Sequence, residues 1–510
     1  MSINFPIQPA SDAGGKSSLV QHFAIQGLFG YRSVSLASEY AATILIAHNG
    51  AGKTTMLGAL DAFLRCQFGR LAELTFQRIE CKLRTLPEML VLEKTDLDHY
   101  LKDVAENSAI LRTAKQFDLD PQDVLFFVLW EFPLLSSKRQ LLNQNPVFNK
   151  VYNHHTHTYD STYALFQELS KGMSIPGSPI ESLRQKVSTA LGETEIVYLP
   201  TYRRIELSLP EQEEPRYGRK PVSVHARLGL TRRGLHTGDI QFGLSDISAR
   251  LKELNQEIMF ESNQKYAEIS ANIIDDLISG SFEKQSPSLE ERPSRQELGI
   301  FFERMKAGGR SGLLFAPYYG PYGPAKIPDF DRIYSGRVPE NSQKFLTYFL
   351  GKLNSVIQKT RDTENIVDSF VRNCNRYLSG TDSTTDGEGI DVRDEKNLQL
   401  DRATLDVSVW RKRPAKEIPL DALSSGEKQM ISLFARLYLY PRDKLILIDE
   451  PELSLSLDWQ RKILPDILNA PHCRQVIAIT HSPFIFDNEL DAFATALRIQ
   501  ISNQDFEGGN

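Results

Sequence analysis

Asp449 and Glu450 follow the unbroken apolar run Leu445-Ile446-Leu447-Ile448, and their type and position suit phosphate chemistry. A run without alternation reads as a strand buried on both faces. An acid at the carboxyl end of such a strand can hold Mg²⁺, and a second acid beside it can orient a water for attack on a γ-phosphate. Asp449 is therefore the candidate metal ligand and Glu450 the candidate general base. Two acids after an apolar run can also merely solvate a strand end, so the neighbouring motifs decide.

The string Ala47-His48-Asn49-Gly50-Ala51-Gly52-Lys53-Thr54-Thr55 lies between the apolar run Thr43–Ile46 and the helical spacing of Met56, Leu57, Leu60, Phe63 and Leu64. Strand, loop and helix in this order make a P-loop. Gly50 and Gly52 let backbone N–H groups turn onto a β-phosphate, Lys53 reaches the β- and γ-oxygens, and the Thr54 hydroxyl ligates Mg²⁺. Residues His48, Asn49, Gly50, Ala51, Gly52, Lys53, Thr54 and Thr55 are the candidate ATP contacts, with Thr54 and Asp449 sharing the metal. Ala47 stands where such loops usually begin with Gly, and an alanine fits there if its φ is ordinary.

Leu423-Ser424-Ser425-Gly426-Glu427 precedes helical spacing of Met430, Leu433, Phe434 and Leu437. Ser424 reads as a helix N-cap with Glu427 closing a capping box. The same helix start offers free N–H groups and the positive end of the dipole to an anion, which makes Ser424, Gly426 and Glu427 nucleotide candidates as well. Both readings can hold together. His481 ends a further buried run, Gln475–Thr480.

Positioning these residues takes strands at 22–25, 34–36, 43–46, 74–83, 195–199, 397–400, 404–409, 445–448 and 475–480, by apolar runs and alternation. Helical spacing fills 87–190, 244–280 and 342–378; Pro/Ser/Glu-rich 284–298 and Gly/Tyr/Pro-rich 308–324 read as loops, and acidic 379–396 as a linker. The expected fold is α/β: an N-terminal ATPase lobe (1–86), a helical insertion (87–190), a return to head strands (191–245), a second insertion (246–396) and a C-terminal lobe (397–510). A chain of 510 residues with 41% hydrophobic and 24% charged residues is large enough for two or three packed units. No run is long and apolar enough to span a bilayer and no leader pattern opens the chain, so a cytoplasmic location is expected. The four cysteines have no CxxC pairing, which argues against zinc ribbons and disulfide frameworks.

Weaker signals remain. Gln77 in its strand is better read as solvated than as a nucleotide-sensing glutamine. His154, His155 and His157 lack an acid at ligand spacing and read as a polar loop. Arg203 and Arg204 follow a buried strand and favour a scaffold role. Arg216, Arg219, Lys220, Arg227, Arg232 and Arg233 form a run without an acid. That run is the best nucleic-acid candidate, against the plainer reading of a solvated loop.

With Ser425 in place of the first Gly and Glu427 in place of Gln, LSSGE resembles the signature motif of ABC-type ATPases. P-loop, signature, Walker B acids and a histidine after the next strand resemble the ABC-type head of the SMC, RecF and OLD branch, in which such a histidine contacts the γ-phosphate. The resemblance covers roughly residues 20–85 and 400–490, and implies ATP and Mg²⁺ as ligands, His481 as a catalytic residue, and head-to-tail homodimers or higher oligomers that complete each site in trans. More narrowly, GLFGYRSVSL, VYLPTYRRIE, LSSGEKQMISLF and DEPELSLSLDWQRKILPDIL resemble the PtuA-type ATPases of Septu antiphage systems. Many RecF- and OLD-like relatives carry a His where Ser456 stands. The Septu resemblance implies an ATP-sensing subunit that controls an HNH nuclease partner of the PtuB type, in some operons beside a retron reverse transcriptase and its DNA–RNA hybrid. The chain ends soon after His481, without room for a TOPRIM domain, and shows no HNH pattern, so it is expected to regulate and not itself to cut. The alternatives are a RecF-like repair ATPase that binds duplex DNA alone, a PARIS-type defence ATPase with a TOPRIM effector, and a transporter ATPase, for which so large an insertion has no purpose.

Overall fold

The computed structural model describes residues 15–48, 50–106, 108–136, 139–154, 158–172, 177–199, 244–280, 292–308, 328–335, 338–379, 395–402, 404, 406–419, 422–453 and 455–501. The chain divides into two compact units, one of Met1–Gln241 with Arg442–Asn510 and one of Phe242–Pro441. Arg203, Arg204, the basic run 216–233, His155 and His157 lie outside the described residues.

The first unit is built on two sheets. Its antiparallel sheet contains β1 (Val20–Leu28), β2 (Arg32–Ala37), β4 (Arg78–Leu83), β5 (Leu90–Glu93) and β13 (Arg498–Ile501), in the order β13-β2-β1-β4-β5. Alternate burial along β4 and β5 is the signature of a sheet with one face on a core. The second sheet is parallel, with β3 (Ala42–Ile46), β6 (Glu195–Leu199), β10 (Lys444–Asp449), β11 (Cys473–Thr480) and β12 (Ala494–Ala496) in the order β12-β3-β11-β10-β6. Every residue of β10 is buried, as the unbroken apolar run requires.

One polar side chain in β11 fastens the two sheets together. Gln475 is fully buried; its Oε1 accepts the Leu19 and Val20 N–H groups at 2.9 and 2.8 Å, and its Nε2 donates to the Val20 carbonyl and the Ser38 hydroxyl, each at 3.1 Å. Both ends of the amide are thus satisfied, the condition under which a buried polar group is tolerated.

Several boundaries differ from the expectation, among them the strand expected over 404–409, which runs from Val407 to Arg411. The helical stretch expected from residue 87 begins at Lys94, because Leu90–Glu93 joins the sheet beside β4. The strand expected over 74–83 begins at Arg78, and Gln77 is exposed just before it. From Lys94 to Leu191 short helices pack on an aromatic cluster in which Phe166 lies 4.7 Å from Phe127 and 5.8 Å from Phe148, ring centre to ring centre.

The second unit pairs two long helices, Leu244–Ser279 and Glu340–Leu378. Helix Arg295–Gly308 starts inside the expected loop 284–298. A three-stranded sheet, β7 (Lys396–Leu400), β8 (Val407–Arg411) and β9 (Lys416–Ile418), lies against the second long helix, whose Asn375 bonds the Leu398 N–H and carbonyl at 2.7 and 2.9 Å. The unit ends in the helix Ser425–Tyr438, whose Phe434 ring lies 5.2 Å from Tyr377 of that long helix. No helix among the described residues is long and apolar enough to cross a membrane.

Candidate nucleotide site

Strand register brings the distant motifs together. Ile46 of β3 pairs with Thr480 of β11, and Ile479 of β11 pairs with Asp449 of β10. The P-loop, the acids and His481 therefore all leave the sheet at the same edge, the carboxyl ends of three adjacent parallel strands, where open α/β sheets bind ligands.

The loop after β3 needs its glycines for conformation. Gly50 and Gly52 have φ of 78° and 86°, a left-handed region that L side chains avoid. Gly52 is the N-cap of the helix Lys53–Leu64, so that helix opens with N–H groups free to meet an anion. His48 is exposed and its carbonyl accepts the Ala51 N–H at 3.2 Å; Ala51 is buried, Thr55 is half-buried in the first helical turn, and Asn49 lies outside the described residues. Ala47 is buried and absent from the residues with positive φ, so no glycine is required there.

Behind the loop, the Thr54 hydroxyl donates to Asp449 Oδ2 at 2.6 Å, and Asp449 is fully buried. Lys53 Nζ lies 3.2 Å from Glu450 Oε1, with the lysine side chain 6% and the glutamate 22% exposed. His481 Nε2 is 3.5 Å from the same Glu450 oxygen. Glu450 has φ 54°, an uncommon conformation for a residue with a side chain and one that clusters at functional sites. Its N–H donates to the Ile479 carbonyl at 2.8 Å, and its carbonyl accepts the Leu453 N–H at 3.2 Å. The donor set fits Mg²⁺: a hydroxyl and a buried carboxylate are hard oxygen ligands.

Three contributors carry no signal that a linear motif would reveal. Arg32 of β2 donates to the Gly50 carbonyl at 2.9 Å and lies over the exposed Phe29 ring, 4.8 Å from its centre. Its mark in the sequence is an arginine beside aromatics at the start of a strand. Glu452 and Gln460 tie the segment after the acids to the turn that holds His481. Burial pushes the Glu452 carboxyl above its ordinary value, and the neighbouring Glu450 charge adds to the rise.

Ser424, Gly426 and Glu427 belong to the second unit. Ser424 is the N-cap, and its side chain and that of Glu427 form the expected capping box. Lys396 Nζ reaches both Glu427 oxygens, at 3.1 and 2.9 Å, so that carboxylate is neutralised within its own unit. His154 sets its ring edge-on to Phe117 at 5.3 Å, and among the described residues no group of three or more His, Cys, Asp or Glu could hold a metal ion.

A family model described as "AAA domain, putative AbiEii toxin, Type IV TA system" matches residues 360–487. The match spans the signature helix, the Walker B acids and His481. Together with the P-loop geometry it supports a P-loop ATPase domain, and with it ATP binding and hydrolysis. No curated protein matches the chain.

Proposed function

We propose that the chain is an ATP-binding and ATP-hydrolysing regulatory subunit of an antiphage defence complex, which holds an HNH nuclease of the PtuB type in check and activates it on infection. The observation behind the ATPase half is the convergence of Lys53, Thr54, Asp449, Glu450 and His481 at one sheet edge. In this reading Lys53 and the loop N–H groups bind the phosphates, Glu450 takes up and orients the attacking water, and His481 reads the γ-phosphate position. Thr54 and Asp449 are the residues that would hold Mg²⁺, which would supply charge neutralisation at the phosphates.

The defence half rests on the resemblance of four strings to those of PtuA-type ATPases, and the RecF/SMC-like character of the head rests on the order of its motifs. A retron reverse transcriptase with its DNA–RNA hybrid is a further partner class in this proposal, and Arg216 to Arg233 its nucleic-acid contact. Co-expression with the neighbouring gene is expected to recover a small HNH protein, and nucleic-acid cleavage is expected only from the two chains together. Metal-dependent cutting by the isolated chain, abolished by a change outside 47–55 and 423–481, overturns the regulatory reading in favour of an OLD-like nuclease.

The signature is proposed to act in trans, in a head-to-tail homodimer or larger ring. Mixing Lys53→Ala with Ser424→Arg protein then leaves one intact composite site per mixed dimer, and roughly a quarter to a half of wild-type turnover should return. Mixed dimers that form without any recovery exclude the arrangement.

A further inference from the structure

The turn that carries His481 has just left the parallel sheet. Thr480 is the last residue of β11 in register with β3, so the main chain from His481 onward has no ladder partner to fix it. A side chain supplies the fixing instead. Glu452 Oε1 accepts the His481 N–H at 2.8 Å and its Oε2 accepts the Thr480 hydroxyl at 2.8 Å, while that hydroxyl oxygen accepts the Ser482 N–H at 3.0 Å. Gln460 closes the ring from below: buried, it accepts the Ser482 hydroxyl at 2.7 Å through Oε1 and donates to the Leu455 and Glu452 carbonyls at 3.1 and 3.3 Å through Nε2.

We propose that Glu452 is the positioning residue that seats the His481 imidazole against Glu450, by gripping the main chain of the Thr480–Ser482 turn. The inference deepens the ATPase reading above and rests on it. In this proposal Glu452 takes no part in the chemistry itself; it acts through the histidine. Because His481 Nε2 stands 3.5 Å from Glu450 Oε1, a shift of the turn by about 1 Å removes the contact, a displacement that can lower a rate by as much as about 100-fold. Two bonding groups at the right place are what the turn needs, so an amide serves there as well as a carboxylate: Gln can accept from the His481 N–H through its oxygen and donate to the Thr480 oxygen, which then donates to the Ser482 carbonyl 3.4 Å away.

The test uses the full-length chain and measures ATP turnover with kcat and KM separated, fluorescent-nucleotide binding, and thermal unfolding as a check on folding. Glu452→Ala is expected to lower kcat about 10- to 100-fold with KM within about threefold. Glu452→Gln should stay within about threefold of wild type in both. In a His481→Ala background, Glu452→Ala should cost no further turnover, because the residue it serves is gone. Wild-type turnover in Glu452→Ala, a Gln variant as impaired as the Ala variant, or losses that multiply in the double variant each overturn the proposal. If the wild-type chain binds nucleotide but never turns it over, the ATPase reading falls and takes the proposal with it. The two failures are thus told apart.

Discussion

Replacing Glu450 by Gln is expected to lower ATP turnover by about 10²- to 10⁴-fold, the usual contribution of a positioned general base, while leaving nucleotide binding intact. The separation follows from geometry. Phosphate and metal are assigned to Lys53, Thr54 and Asp449, and Thr54 and Asp449 are bonded to each other at 2.6 Å without Glu450. Gln keeps the size of the side chain and an oxygen facing Lys53, but cannot take a proton from water. Binding by fluorescent ATP titration and turnover by phosphate release, read on the same preparation, decide the matter. Unchanged turnover in the Gln variant removes Glu450 from the role.

Gln475→Leu should destabilise the first unit by about 3 kcal/mol, since it strips partners from two buried N–H groups and a carbonyl, each costing about 1–3 kcal/mol when left unsatisfied, with partial relaxation in between. For a unit of this size that loss corresponds to a fall of about 4–6 °C in Tm. Leu matches the apolar surroundings of β11 and has nearly the same volume, so packing alone predicts almost no change. Scanning calorimetry separates the two expectations. A variant that melts with the wild type shows that Leu19 and Val20 find other partners, and that the amide is not what joins the sheets.

These two residues also mark what the sequence makes legible. The loop 47–55 and the acids 449–450 are readable because each is a short contiguous string whose neighbours share one strand or helix. The strand order β12-β3-β11-β10-β6 is not readable, because all of its pairings except β10 with β11 join segments hundreds of residues apart. β5 has only four residues, Leu90–Glu93, too few for alternation to stand out from the helical spacing that follows. Glu452 is missed because its two partners, Thr480 and His481, lie at the end of β11 and in the turn after it. Gln475 reads as one polar letter at the start of an apolar run, and nothing local says that four groups at the start of β1 and the end of β2 converge on it.

The capping box at Ser424 shows the converse. Ser and Glu three residues apart before helical spacing are enough to predict it, and the geometry agrees. What local pattern does not supply is Lys396, brought to the Glu427 carboxylate from the start of β7. It leaves Ser424 and the first N–H groups of that helix as the parts of the signature with capacity for an anion.

Glu450 sits at φ 54°, and holding a side-chain-bearing residue there costs on the order of 1–3 kcal/mol. Glycine, or to a lesser degree asparagine, occupies that region with less strain. With Glu450 as the proposed base, selection for heat resistance alone pulls position 450 towards residues that cannot activate water, and selection for turnover pulls it back. A library sorted first by survival at high temperature would discard working enzymes at this one codon, and the more robust survivors would be those that grip nucleotide and do not let it go.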